Sequence, residues 1–359
     1  MMLSGRLRIR SFAIAQFRTL PIGLVIVSAG LWLLTCSGCS SDRTGGFAEN
    51  INRVWIGPEY FANRLADWRL SFGRAECVEG RESFPLRTLF RLDRSLAAAD
   101  RGFSMSVLTG PLGEGVVTGE AWRGFLIGGG GEDIDWRLTA WTHAKPARDG
   151  GLLAVVDGFG GTAFRDLTGG THSPVQWAVS GPVTDDDVPV MAGTMPGGSL
   201  LEDPAGAVLL TLAGKPESDG YTLILSAIEV STGREMTRTE YRNVPPEYLA
   251  GGIALVSHRG AEEGDSGFWF EDWMLRGAGI ESHPDRLFGP VLSTQYTVSR
   301  DRLTLTAQLG PLGAADEKAL ILQVRPEGGG AWQTLAETEW VEDSYTATFR
   351  VEGWQETAA

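Results

Sequence analysis

Cysteine is scarce in this chain: three in 359 residues, at Cys36, Cys39 and Cys77. Two of them lie near the N-terminus, so a disulfide framework is excluded for the body of the protein and the fold has to rest on core burial. Lysine is nearly absent, with Lys145, Lys215 and Lys318 the whole set. Arginine carries the remaining positive charge, and acid outweighs it to a net charge of −14. Such a surface repels phosphate backbones, which excludes nucleic acid as a direct partner. Histidine numbers four, at His143, His172, His258 and His283, and none stands in a sequence context that presents metal ligands from strand ends. Helical periodicity is also missing. No stretch after residue 40 keeps an amphipathic helical period for three turns, which argues against a helical bundle and against an α/β sheet.

The N-terminus reads as an export signal. Arg6, Arg8, Arg10 and Arg18 form a basic region without acid, and residues 22–35 (IGLVIVSAGLWLLT) follow as an apolar run too short to span a bilayer comfortably. Cys36-Ser37-Gly38-Cys39 then resembles a bacterial lipobox, with Cys36 where an aliphatic residue is usual. The expectation is a lipoprotein signal peptide over 1–39 and lipidation at Cys39, with ordinary secretion or an uncleaved anchor as alternatives. Loss of four arginines with the signal takes the net charge from −14 to −18. The mature protein is then exported and membrane-anchored through lipid, facing the periplasm or the cell surface.

Residues 40–50 read as a polar tether. From 51 to 280 the chain is rich in glycine and tryptophan and breaks into short apolar or alternating runs divided by Gly, Pro and Asp clusters. Phe103, Met105 and Val107 alternate with Ser104 and Ser106, and comparable runs lie at 68–72, 122–128, 136–141, 152–156, 207–212, 221–230, 253–258 and 267–275. This pattern predicts an all-β fold, a concanavalin A-like (LamG-like) jelly-roll sandwich. Residues 181–203 read as a long surface insertion. A second segment, 285–359, shows five strand patterns where an immunoglobulin or fibronectin-like sandwich needs about seven. It is expected to be an incomplete, truncated sandwich of that kind.

Several runs are similar to a known architecture. Phe268-Trp-Phe-Glu-Asp-Trp-Met-Leu-Arg-Gly277, His283-Pro-Asp-Arg-Leu-Phe-Gly-Pro-Val291 and Gln295-Tyr-Thr-Val-Ser-Arg300 resemble the region preceding the catalytic domain in bacterial PhoD-like (alkaline phosphatase D-like) lipoproteins. Leu303-Thr-Leu-Thr-Ala-Gln308, Tyr345-Thr-Ala-Thr-Phe-Arg-Val351, Trp55-Ile-Gly-Pro-Glu-Tyr60 and Asp67-Trp-Arg-Leu70 extend the likeness. The resemblance implies a non-catalytic accessory region. The binuclear metal centre of such enzymes belongs to a metallophosphoesterase domain that this sequence does not contain, and no residue here inherits a ligand role. Catalytic, cofactor and metal residues are therefore assigned to none.

Other constellations are weaker. Gly128 to Gly131 lacks a following Gly-Lys-Ser/Thr and reads as a turn. Asp185-Asp186-Asp187 and Glu262-Glu263-Asp265 could hold structural Ca²⁺ but read better as solvated loop charge, and Glu132-Asp133-Asp135 does not establish a glycosidase pair. Trp55, Trp68, Trp122, Trp136, Trp141, Trp177, Trp269 and Trp273 are expected mainly to fill the gap between sheets. Trp269 and Trp273, four apart in an extended run, should share one face, with Phe268 and Phe270 on the other, in a central buried strand. The functional expectation is an accessory or binding module that meets an extracytoplasmic glycan or a phosphoesterase module. The alternatives are a glycan-binding or glycan-cleaving jelly roll, and an inactive remnant of a truncated reading frame.

Overall fold

The computed structural model describes residues 6–11, 46–62, 64–79, 86–97, 100–113, 119–131, 134–141, 150–168, 188–193, 196, 198–203, 205–260, 267–325 and 331–354. Two compact units result: Gly45–Thr294 with Gln308–Asp316, and Gln295–Ala307 with Glu317–Ala359 and the N-terminal segment Met1–Thr44.

The larger unit is the expected jelly-roll sandwich of two eight-stranded antiparallel sheets. One sheet runs β11 (Val190–Gly193), β10 (Thr162–Asp166), β9 (Leu152–Asp157), β8 (Trp122–Gly129), β15 (Gly251–His258), β6 (Leu86–Leu96) and β17 (Ile280–Ser282), with β3 (Tyr60–Phe61) also on β6. The other runs β14 (Arg234–Val244), β13 (Gly220–Glu229), β12 (Val208–Glu217), β7 (Phe103–Pro111), β16 (Phe268–Arg276), β5 (Arg74–Cys77), β4 (Trp68–Ser71) and β2 (Asn52–Arg53). Their facing sides meet in one core. Phe125, Ile127, Ala154, Val156 and Leu255 come from the first sheet, and Val107, Leu210, Leu223, Leu225 and Phe270 from the second. Each of the larger side chains so buried contributes roughly 1.5–3 kcal/mol.

The two sheets read differently in sequence because only one is covered on both faces. In β7, Phe103, Met105 and Val107 are buried while Ser104 and Ser106 are half-buried, the alternation of a sheet with one wet side. In β8 and β9 every residue is buried. A second apolar cluster lies on the outer side of that sheet, where Phe90, Trp122, Leu126, Leu153, Val155, Ala254 and Val256 are covered by Ala140, Leu167 and Val188.

Four local expectations are corrected. Trp269 and Trp273 do not share a face. A bulge in the β16–β7 register falls between Glu271 and Met274, and Asp272 there has φ of 51°. The extra residue restores Trp273 to the core beside Phe268 and Phe270 and leaves Trp269 half-buried outside. Residues 136–141 are not a strand but turns followed by a 3₁₀ turn at Thr139–Trp141, after the Gly130-Gly131 turn. Within 181–203, Val190–Gly193 forms the edge strand β11 on β10. The tether reading fails at Phe47, which is buried in the sandwich core against Tyr60 at 5.3 Å, ring to ring.

The smaller unit contains two three-stranded sheets, β18 (Val291–Ser299), β19 (Arg302–Leu309), β22 (Thr346–Glu352) and β1 (Arg6–Ser11), β20 (Ala319–Arg325), β21 (Gln333–Glu339). Arg300 and Asp301, both at positive φ, close the β18–β19 hairpin in the two-residue turn that suits strand twist. Leu303, Leu305, Ala307, Leu320, Leu322, Trp340, Ala347 and Phe349 are buried. Five C-terminal strands are present as the sequence suggests. A sixth comes from Arg6–Ser11, a segment whose sequence reads only as the basic start of a signal.

Candidate functional site

Most tryptophans are spent on packing. Trp55, Trp68, Trp122 and Trp273 are buried. Trp269 is half-buried, but its indole lies over Gly110, where an added Cβ would sit 2.6 Å from the ring, and Arg74 stands 4.2 Å from its centroid. Trp136 is different: it packs on the outer cluster of the first sheet while staying partly open.

Three separate segments place half-buried aromatic side chains on the outer cluster of the first sheet, a shelf of which Trp136 is one member. Gly130 ends β8 in a turn, Ile134 N–H donates to the Gly130 carbonyl, and Leu138 N–H donates to that of Asp135 at 2.8 Å, which lays residues 134–141 over the sheet. From β3 comes Phe61, and from the segment after β17 comes Phe288, with ring centroids 4.6 Å apart. Phe288 is fixed there by its N–H donating to the Pro58 carbonyl. Phe61, Phe288 and Trp136 all pack on the same outer cluster and all remain half-buried.

Charge rims this shelf. Arg137 donates to Asp135 through its backbone N–H at 3.0 Å and its Nε at 2.8 Å, and its guanidinium lies 5.9 Å from the Trp136 centroid. These bonds hold the Asp135 carboxyl well below the usual carboxylate range, with a smaller contribution from Arg286. Asp135 is therefore ionised at any ordinary pH, and the exposed pair offers both acceptors and donors beside an aromatic surface. Leu138, 57% exposed, extends the apolar part. Chemically, the shelf can stack a flat apolar face and bond hydroxyls at its rim.

A second polar group lies inside the sandwich. Arg123 on β8 is buried, with no hydrogen-bond partner among the described residues for any guanidinium nitrogen. Phe268 lies 4.7 Å away, ring centroid to guanidinium carbon. Burial pushes the Arg123 pKa down to about 10, and Asp157 only partly opposes it. Asp157 closes the β9–β10 hairpin, its Oδ1 accepting from Phe159 and Gly161 N–H at 2.9 and 2.7 Å, and burial raises its pKa. His258 ends β15 as expected of a strand-end residue. Its Nδ1 accepts from Gly260 N–H at 3.2 Å, and its ring stacks on Trp122 at 4.2 Å and 2°. Cys77 is a buried free thiol, its pKa pushed up to about 12 by desolvation.

A third group surrounds β6. Asp93 takes Arg91 at 2.9 Å and Arg94 at 2.7 Å, and its carbonyl accepts from His283 N–H. His283 Nε2 lies 2.8 Å from Ser95 Oγ, and burial with nearby Arg286 lowers its pKa. Glu59 is raised by burial, its backbone carbonyl accepting from Leu92 N–H. These bonds fasten β3 and the 280–288 segment along β6, which is how Phe61 and Phe288 come to stand side by side. His283 thus sits within the larger unit as a fastener.

Cys39, His143, His172, Trp177, Glu132-Asp133, Asp185-Asp186-Asp187 and Glu262-Glu263-Asp265 lie outside the described residues, as does the side chain of Trp141. Sequence reasoning missed the shelf because Phe61, Trp136 and Phe288 lie far apart along the chain, on three different segments; the one local signal was Asp135-Trp136-Arg137.

No family model matches the chain, and no curated protein matches it. Solved structures that it is similar to include lectin I-B4 from Griffonia simplicifolia in its metal-free form, at 9% identity over 59% of this chain and 90% of that one, TM-score 0.38. The Emp47p carbohydrate recognition domain is 13% identical over 68% of this chain and 100% of its own, TM-score 0.40. The VIP36 exoplasmic/lumenal domain is 12% identical over 63% and 88%, TM-score 0.37. No residue role is carried over from any of them.

Proposed function

We propose that the jelly roll is a carbohydrate-recognition module, presented at the cell envelope by a lipid on Cys39, and that the Trp136 shelf is its binding surface. The observation that carries the reading is the half-open Trp136 with the exposed Asp135–Arg137 pair beside it and Phe61 and Phe288 packed on the same apolar cluster. A pyranose offers an apolar C–H face for the indole and equatorial hydroxyls for carboxylate and guanidinium. The net charge of about −18 after processing disfavours polyanionic glycans, so the ligand class is a neutral saccharide. The kinship with PhoD-like lipoproteins belongs to the same proposal: the module would hold an envelope glycan for an enzyme domain carried elsewhere.

A glycan array probed with the exported protein tests this. Binding to neutral saccharides, lost in Trp136→Ala with the fold intact, is expected. Binding confined to acidic glycans, or unaffected by Trp136→Ala, overturns the assignment.

A further inference from the structure

Arg6–Ser11 pairs antiparallel with β20 over six residues, Arg6 opposite Arg325 through Ser11 opposite Leu320. β21 occupies the other side of β20. With β1 in place β20 is an inner strand; without it β20 is an edge. Its sequence, Ala-Leu-Ile-Leu-Gln-Val-Arg, has no proline and a single charge at its last residue, and Leu320 and Leu322 are buried. Natural edges are seldom left so apolar and unguarded, because unpaired strand backbone recruits further chains. If the chain is processed at Cys39, the segment that covers this edge is removed.

We propose that the free side of β20 is a strand-acceptor site, filled in the precursor by Arg6–Ser11 and in the exported protein by an extended basic segment of a partner polypeptide. Main-chain hydrogen bonds along a sheet edge supply affinity in this mode, and alternate side chains supply selectivity. The register states the partner's chemistry. Leu7 and Ile9 stand opposite Val324 and the buried Leu322, so apolar residues belong at alternate positions. Arg10 stands opposite Ile321, which pairs on its other side with Glu337, and Ala319 pairs with Glu339. Both glutamates are exposed, one strand away from the slot, with Glu342 and Asp343 exposed just beyond β21. An arginine at the position of Arg10 fits that acidic neighbour and an acidic residue there does not, whereas the position of Arg6 faces Arg325. The segment Arg6–Ser11, Arg-Leu-Arg-Ile-Arg-Ser, has this alternation of basic and apolar residues.

Hydrogen exchange on the full chain tests the site, with Cys39→Ala to keep the N-terminus attached. Ile9→Pro removes a donor and breaks the extended pairing of β1. The expected result is at least tenfold faster exchange over residues 319–325 in Ile9→Pro, with β19 and β22 unchanged. A synthetic peptide of residues 4–13 should restore protection to the variant and confer it on the exported protein. The same peptide with Arg6, Arg8 and Arg10 replaced by glutamate should act at least tenfold more weakly. Equal exchange over 319–325 in the two full-length chains, or no protection by the peptide, overturns the acceptor site. Equal protection by the glutamate peptide overturns the basic partner. Neither outcome touches glycan binding at Trp136, which is read on a different unit.

Discussion

Arg123→Met should make the protein more stable, an outcome opposite to that of most changes at a fully buried residue. The Arg123 guanidinium is sealed inside the sandwich without a hydrogen-bond acceptor among the described residues, and Phe268 is its nearest aromatic companion. Its fall from 12.5 to about 10 corresponds to roughly 3 kcal/mol against the charged form, at ~1.4 kcal/mol per pH unit. Methionine follows the arginine stem as far as Nε and needs no hydrogen bonds, and the guanidinium volume that it leaves unfilled takes back part of the gain. That figure already contains the opposing attraction to Asp157, which keeps its Phe159 and Gly161 N–H donors in the variant. The net gain is then roughly 1–2 kcal/mol near neutral pH, or about 2–6 °C in Tm for a domain of this size. The pH dependence has a definite sign. Folding lowers the arginine pKa, so the folded state binds fewer protons than the unfolded state and wild-type stability rises as pH climbs past about 10. The advantage of Arg123→Met is complete below that pH and shrinks above it. Thermal melts of both proteins between pH 7 and about 10.5 decide the matter. A variant less stable by more than about 1 kcal/mol at pH 7 would refute the reasoning and show that the guanidinium is well paired.

Other outcomes follow from close approaches and burial. Gly214→Ala places a Cβ 2.2 Å from the Phe103 ring, so it should cost about 1–3 kcal/mol in a denaturant melt, and Phe103→Leu in the same chain should recover part of that loss. The Cys77 thiol, buried and with its pKa near 12, should stay unlabelled by a thiol reagent at pH 8 in the native protein and react fully once denaturant is added. Rapid labelling under native conditions would show that the end of β5 opens.

The fold was legible where a strand has one wet face. Met105 and Val107 against Ser104 and Ser106 announce β7, and Leu303 and Leu305 against Thr304 and Thr306 announce β19, because period-two burial leaves a direct trace in composition. The trace fails where one residue is added or where a surface is covered twice. The bulge at Asp272 reverses the expected facing of Trp269 and Trp273, and no residue type near it marks the extra position. Trp136 to Trp141 reads as an alternating apolar run yet makes turns, because Trp136 and Ala140 rest on the outside of a sheet and not in it. Phe47 was hidden in a polar context, although one phenylalanine suffices to dock a segment. The polar fasteners Arg91, Asp93 and His283 were unreadable in principle: they are set by which strands neighbour β6, a property of topology. The Trp136 shelf is of the same kind, joining residues from three segments.

The central claim is recognition of a neutral saccharide at Trp136, and titration calorimetry with the best array ligand tests it most directly when Trp136→Ala and Trp269→Ala are compared. Trp136 is half-open on the outer sheet face, whereas Trp269 is taken up by Gly110 and Arg74. Loss of stacking worth about 1–2 kcal/mol predicts a five- to thirtyfold weaker Kd for Trp136→Ala and an unchanged Kd for Trp269→Ala. Unchanged binding by Trp136→Ala, or loss only with Trp269→Ala, would contradict the account.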